Sequence, residues 1–411
     1  MSNVLGIVAE YNPFHNGHLY HLEKSKKDTG SDYSIAVISG NFTQRGSTSL
    51  VDKWEKTQMA ISNGVDLVIE LPTIYATSSA ENFADGAIKI LDSLKIVDYV
   101  SFGAETPNLS ALDHLAEILY YEPKEYKALL SIELGKGLSF PKARENALMM
   151  YLNDQKNIRS ILNSPNNILA IEYLKSLKKH KSKINPYIIG RFESDYNSKS
   201  YTNNIASSTA IRNMLKNNAY NVLPRLMPQS SCAILAKNIK TGHAIPDISV
   251  FEKEIIYNLR KMTVNEIREL PDVSEGLEFA IKEASSSCNT IVEFLNIIKS
   301  KRYTSTRLQR ILLYSLLGIT KKDVEVSKKT TPYIRVLGFN QNGKYLLSEI
   351  SKANPKLQII TSVKKFVDSN NKNRNLDILF SKDIWATNVY TIGYNNDSWS
   401  NLDFTHKLIM M

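Results

Sequence analysis

An α/β fold, a parallel sheet covered by helices on both faces, is what this 411-residue sequence predicts. Two observations carry it. Short apolar runs without strict polar alternation recur through residues 1–220, as strands buried on both faces require. Helical patterns separate these runs, which is the signature of parallel strands joined by crossovers. Composition sets the frame. Hydrophobic residues are 43% and charged residues 22%, an ordinary globular balance that excludes a disordered chain, a collagen-like repeat and a coiled-coil rod.

Taken in order, Val4 to Glu10 (VLGIVAE) is the first strand, and a helix follows from about Gly17. Tyr33 to Ser39 is the second strand. Asp52 opens a helical stretch with apolar Trp54, Met59 and Ile61, closed by Asn63-Gly64. Asp66 to Pro72 is the third strand, Ala80 to Leu94 a helix, and Asp98 to Gly103 the fourth strand. Several helices run to about His180, then come a late strand, Asn185 to Arg191, and a late helix, Ser207 to Leu215. Pro224 and Pro228 punctuate a boundary. The expected division is an α/β domain over 1–220, a mainly helical region over 221–330 and a small α+β part over 331–411. In the middle region Thr304 or Ser305 caps a helix that Gly318 ends. In the last, YIRVLGF and LQIITS are short strands around a helix at Lys344 to Lys352.

Lys+Arg number 51 against 41 Asp+Glu, a net charge of +10. Such a surface suits a polyanion such as nucleic acid or an acidic membrane, and equally suits simple solubility. No run approaches the ~20 apolar residues of a membrane-spanning helix. The start, MSNVLGIVAEYN, lacks a charged n-region and a signal-type apolar core, so a cytoplasmic protein without a membrane partner is expected. Cys232 and Cys288 are the only cysteines and lie far apart, which excludes a disulfide scaffold and a Cys-based zinc site. Neither GxGxxG nor GxxxxGK[ST] occurs.

Chemistry concentrates in GIVAEYNPFHNGHLYHLEKS, which holds three of the 7 histidines, His15, His18 and His21. A buried strand runs through a polar turn into a helix. The helix N-terminus presents N–H groups and positive partial charge to an anion, and Gly17 allows a phosphate to approach the backbone. His15 and His18 sit about one turn apart, so both imidazoles can donate to phosphate oxygens as charge develops. Two other readings stand beside this one. The histidines cap the helix for purely structural reasons, or His15, His18 and His21 bind a metal, although successive i, i+3 steps rotate around the helix. A second cluster, Ile205-Ala206-Ser207-Ser208-Thr209-Ala210-Ile211-Arg212, starts the late helix. Its hydroxyls and N–H groups suit phosphate and Arg212 adds a positive fork, while an ordinary N-cap explains the same residues.

HNGH together with SSTAIR resembles the HxGH nucleotidyltransferase superfamily, and the fold expected is its Rossmann-like parallel sheet. EYNPFHNGHLYH, ISGNFTQRG, DLVIELP, SFGAE and SPNNILAIEYL resemble the bacterial tRNA(Met) cytidine acetate ligase family. The resemblance is dense in the N-terminal half and thinner beyond. It implies that acetate attacks ATP to give acetyl-adenylate and pyrophosphate. The wobble cytidine of elongator tRNA(Met) then takes the acetyl group on its exocyclic amine, giving N4-acetylcytidine. By motif, Ile7, Val8, Ala9, Glu10, Tyr11, Asn12, Pro13, Phe14, His15, Asn16, Gly17, His18, Leu19 and Tyr20 form the ATP loop. Gly103 of SFGAE, Asn166 of SPNN, Arg191 of IIGR, and Ser207, Ser208 and Thr209 are further ATP contacts. His15, His18, Ser208 and Arg212 are the expected catalytic groups, stabilising the triphosphate. Mg²⁺ is expected with ATP, without a carboxylate cluster to hold it. The loop Asn41 to Ser47 either closes over substrate through Gln44 and Arg45 or is an exposed connection.

For RNA, two basic runs stand out, Lys175 to Lys183 and Lys299 to Arg310. Tyr303, Arg307, Arg310 and Tyr314 recur at helical spacing, as an RNA-binding stripe centred on Arg307 and Arg310 or as a solvated face opposite Leu308, Ile311, Leu312 and Leu316. Competing functions are a small-molecule acid-activating adenylyltransferase on the same fold and a non-catalytic RNA-binding protein. The acetate pocket, the choice of one tRNA and the oligomeric state are not legible.

Overall fold

The computed structural model describes residues 3–191, 204–274, 276–300, 303–369, 373–396 and 399–411. Among them the strands are β1 Asn3–Ala9, β2 Ser31–Ser39, β3 Leu67–Leu71, β4 Tyr99–Ala104, β5 Asn185–Gly190, β6 Tyr333–Phe339, β7 Gln358–Ile360 and β8 Ile409–Met410. They form one sheet in the order β5-β4-β1-β2-β3-β6-β7, with β8 also on β6. The first five are mutually parallel, and β1 lies in the middle, Ile7 opposite Ala36 on one side and Ser101 on the other. The carboxyl ends of β1, β2, β4 and β5 therefore share one edge.

The apolar runs lack alternation because both faces are covered. Successive side chains still point to opposite faces. Along β2, Ile35 and Val37 join one core with Leu67 and Ile69, under helices Ala80–Ser93, Leu109–Tyr121 and Pro165–Lys179. Ala36 and Ile38 join the other with Leu5, Ile7 and Val68, under helices Asn16–Thr29, Lys53–Ser62 and Ser208–Lys216. Asp52 caps the Lys53–Ser62 helix as expected, Oδ1 accepting from Trp54 N and Glu55 N at 2.9 Å each.

Residues beyond 331 contribute three strands to this same sheet. β6 runs antiparallel to β3 and sets Arg335 opposite Glu70. A buried charge cluster sits there. Lys53 Nζ reaches Glu70 Oε2 at 2.9 Å and Asp403 Oδ1 at 2.8 Å, and Arg335 Nη2 reaches Asp403 Oδ1 at 2.7 Å.

The helices from Glu252 to Leu317 form a second core with Ala386, Val389 and Tyr390, which Phe42 enters from the loop after β2. That loop is packed rather than an exposed connection: Asn41, Phe42 and Thr43 are buried. Gly46, at φ +75, lies against the backbone of helix Ser305–Leu317, where an added Cβ would stand 2.5 Å from Arg310 N. Tyr314 Oη donates to Thr77 O at 2.9 Å and Tyr390 Oη to Ser49 O at 2.9 Å, so the helical region props the loops at the carboxyl edge.

Helix Ser305–Leu317 is capped by Thr304, and its expected basic-aromatic face is not exposed. Tyr314 and Arg310 are buried, Arg310 Nε donating to Asp272 Oδ2 at 2.7 Å. Arg307 Nε donates to Asp272 O at 2.7 Å and its guanidinium lies over the Tyr303 ring at 5.1 Å. The helix is enclosed nearly all round, because the loop after β2 covers the side that the sequence pattern leaves polar. Arg310→Ala is accordingly expected to lower unfolding stability by about 2 kcal/mol, read by denaturant titration, because a charge-assisted bond is lost. The run Lys175 to Lys183 is likewise engaged: Lys175 pairs with Glu172, Lys178 with Asp113, and Lys179 and His180 with Asp85.

Candidate active site

The centre of the edge is the turn from β1 into helix Asn16–Thr29. His15 is its N-cap residue, and its Nδ1 accepts from Gly17 N at 3.1 Å. His18 Nδ1 accepts from His15 N at 3.3 Å. The two rings stack with centroids 3.8 Å apart, and Tyr11 and Phe14 pack against His18 from below. Structural capping and phosphate binding are thus compatible. Capping consumes Nδ1 on each ring, which places the proton of the neutral imidazole on Nε2. Among the described residues neither Nε2 has a hydrogen bond, so two N–H donors remain for a ligand. Gly17 has a further reason to be glycine: an added Cβ would stand 2.9 Å from His15 Cε1, so glycine lets the imidazole fold back over the turn.

Helix Ser208–Lys216 points its N-terminus at the same turn. Ser207 caps it, Oγ accepting from Ala210 N at 3.1 Å. Arg212 Nη1 donates to Asn12 O at 2.7 Å and Nη2 to Thr209 Oγ1 at 3.2 Å, while Ser208 Oγ meets Pro13 O at 3.5 Å. Asn16 Nδ2 bridges to Asn204 O and Arg225 O, fastening the turn from outside. On the other flank, Gly103 at the end of β4 lies under the Arg191 side chain, and Arg191 Nη1 donates to Asn166 Oδ1 at 3.1 Å. Gly103, Asn166 and Arg191 therefore converge, with Glu105 fixing Asn166 and the start of its helix: its Oε1 accepts from Asn166 Nδ2 at 2.6 Å and its Oε2 from Asn167 N at 2.9 Å. Of the ATP-loop residues expected from the motif, Ile7, Tyr11 and Phe14 have their side chains in the core. Val8, Ala9, Leu19 and Tyr20 are half-buried around the turn.

One neighbour escaped sequence reasoning. Lys56, wholly buried, donates from Nζ to Ser39 O and Gly40 O at 2.6 Å each and to Glu10 O at 3.1 Å, tying together the ends of β1 and β2. Burial pulls its pKa down to about 7. Glu10 Oε1 accepts from Gln44 N at 2.9 Å, so the loop after β2 is anchored to β1, and Gln44 Nε2 continues to Ser78 O at 3.2 Å.

The three histidines are held neutral. Burial, then the charges of Arg191 and Arg212, lowers His15 to about 3, burial and Arg191 lower His21 to about 4, and His18 is well below its ordinary value. An unfolded chain binds protons on these groups below pH ~6.5 while the folded chain does not. Their contribution is fully present above that pH and is lost as pH falls toward 4. Denaturant titrations of the free protein at pH 7.5, 6 and 5 are expected to show falling stability, whereas a flat profile would contradict neutral burial.

Two helix N-termini, two arginines and two Nε2–H donors facing one opening at the end of a parallel sheet define a site for a nucleoside triphosphate. The sequence matches the family model described as HIGH Nucleotidyl Transferase over residues 2–403, and the chain belongs to that family. Within it, the chain is 47% identical over 411 residues to the tRNA(Met) cytidine acetate ligase of Thermoanaerobacter sp. strain X514, covering 99% of this chain and 100% of that one. Identity is 44% to the enzyme of the same name from Acetivibrio thermocellus, at 99% and 100% coverage. The crystal structure of Thermotoga maritima TmcAL bound with alpha-thio ATP superposes with a TM-score of 0.93 at 33% identity, over 100% of this chain and 99% of that one.

Proposed function

We propose that this chain is an ATP-dependent tRNA(Met) cytidine acetate ligase. The carrying observation is the pair of neutral, stacked imidazoles with free Nε2–H donors between Arg191 and Arg212, in a chain that matches curated ligases of that name along its whole length. In the first step an acetate oxygen attacks the α-phosphorus of ATP, the bond to the bridging oxygen breaks and pyrophosphate leaves. His15 and His18 donate to the triphosphate from one side. Ser207, Ser208, Thr209 and Arg212 face it from the other, and their worth lies in charge stabilisation rather than covalent chemistry. Gly103, Asn166 and Arg191 are assigned to the nucleoside side. In the second step the exocyclic amine of the wobble cytidine of elongator tRNA(Met) takes the acetyl group and AMP leaves, giving N4-acetylcytidine.

Among the described residues no three His, Cys, Asp or Glu side chains gather to hold a metal. A Mg²⁺ accompanying ATP would rest largely on the substrate's own oxygens and on water, and would supply charge neutralisation at the triphosphate. Among the described residues no helix is long and apolar enough to cross a membrane.

ATP–pyrophosphate exchange with acetate, followed by mass analysis of nucleosides from elongator tRNA(Met), tests this. Acetate-dependent exchange and new acetylcytidine are expected. Exchange with a different acid only, and no modified tRNA, would move the function to small-molecule activation. Absence of exchange with every acid would leave an RNA-binding protein.

A further inference from the structure

The reaction's second step releases a proton, and none of the groups given a role in the first step is a base available to take it. The amine nitrogen attacks the acetyl carbonyl carbon, the new C–N bond forms, the bond from that carbon to the phosphate oxygen breaks, and AMP departs with the electron pair. One N–H proton must leave the amine. The imidazoles are unsuited to accept it. His15 and His18 use the Nδ1 lone pair on backbone N–H groups and expose only Nε2–H. His21 Nε2 is joined to Ser101 Oγ at 2.8 Å, and Ser101 to Ser25 at 2.7 Å. Ser25 donates to His21 O at 2.6 Å, so the chain of donors runs inward from His21 Nε2–H to the buried Ser101 and Ser25, which holds the His21 ring against the sheet.

The carboxylates along the edge are mostly spent. Glu105 uses both oxygens on the first turn of helix Pro165–Lys179. Both oxygens of Glu70 receive Lys53 Nζ. Asp52 Oδ1 caps its helix and Oδ2 accepts from Tyr394 Oη at 3.0 Å. Glu10 differs. It is the first residue past β1, five before His15, and is only half-buried. Its Oε1 is anchored on Gln44 N, its backbone oxygen on Lys56, and among the described residues nothing hydrogen-bonds to Oε2. Its charge also helps, after burial, to raise the Tyr173 hydroxyl. β1 pairs with β4 on one side and with β2 on the other. Glu10 thus stands between the nucleotide flank at β4 and β5 and the loop after β2.

We infer that Glu10 is the group that receives the cytidine amine: Oε2 accepts a hydrogen bond from the N4 amino group and then takes its proton as the amide forms. This rests on the ligase reading above. A carboxylate oxygen is the natural partner of cytosine N4–H₂, a pure donor, so the same atom orients the base and serves as proton acceptor. The anchored Oε1 keeps the carboxylate from turning away, and the bound proton passes to water once AMP has left.

Glu10→Gln tests it, because glutamine keeps an oxygen for Gln44 N and loses the base. The measurement is the ratio of single-turnover acetyl transfer to elongator tRNA(Met) over acetate-dependent ATP–pyrophosphate exchange, in wild type and variant. The ratio is expected to fall about 100-fold or more, the usual scale for general-base catalysis. Wild-type transfer is expected to decline at acid pH in a one-proton step that the variant lacks, and Glu10→Asp, which keeps the charge, should retain more transfer than Glu10→Gln. An unchanged ratio, whether both rates hold or fall together, would overturn the proposal and leave Glu10 a loop anchor. Failure of the wild type itself to acetylate tRNA would instead overturn the ligase reading.

Discussion

His18→Ala is expected to cut acetate-dependent ATP–pyrophosphate exchange by about 100- to 1000-fold, the scale seen when one preorganised donor to developing charge is removed. The substitution removes two things at once, the Nε2–H donor and the Nδ1 acceptor of His15 N. His18→Asn separates them. An asparagine oxygen can take the place of Nδ1 in the cap, but no asparagine atom reaches where Nε2 was. The alanine variant should therefore lose about 1 kcal/mol of stability with its cap, and the asparagine variant should recover most of that. Exchange should stay low in both. Exchange restored by asparagine would mean that the cap, and not the donor, matters. Both variants should leave tRNA affinity near the wild-type value, since neither touches the surface away from the triphosphate turn.

The parallel sheet, its helices and the two polar clusters at helix starts were legible because each has a local signature. β1 to β5 are short apolar runs ended by polar turns, and HNGH and SSTAIR lie at helix starts. Long-range partners had no such signature. The sequence places Arg310 on a helical stripe with Tyr314, but only the packed structure shows that the loop around Gly46 covers that stripe. Gly17 carries the same lesson at shorter range: the space it leaves is filled by the His15 ring, which sequence spacing alone does not reveal. The strand β6 is also predictable as a strand, yet its antiparallel seat beside β3 is set by charges more than sixty residues away along the chain at Asp403 and some 280 away at Lys53.

Lys53→Met is the substitution with the largest expected cost to folding, about 3–5 kcal/mol, the scale for removing one partner of a buried ion pair. Lys53 is wholly buried and holds Glu70 and Asp403 together, with Arg335 as the other cation on Asp403. Asp383 lies close by, its pKa raised to about 7 by burial and by the Glu70 charge, and it binds Tyr333 and Thr73 N. Without Lys53 the Glu70 carboxylate loses both of its contacts to Nζ and folds best when protonated. A buried carboxylate left without its cation costs most when it is charged, so the variant's deficit should be smaller in acid than at neutral pH. Adding Glu70→Gln should recover part of the loss, and denaturant titrations of the single and double variants measure the coupling. The effect should reach the site as well. Asn41 Oδ1 accepts from Lys53 N at 2.9 Å at the start of the loop that carries Gln44 to Glu10. Gly40 must stay a glycine because an added Cβ would stand 2.5 Å from Glu70 Oε1. The charge cluster thus joins the C-terminal strands, helix Lys53–Ser62 and the loop after β2 into one support for the carboxyl edge. A variant as stable as wild type at pH 8 would show that packing around this edge suffices without it.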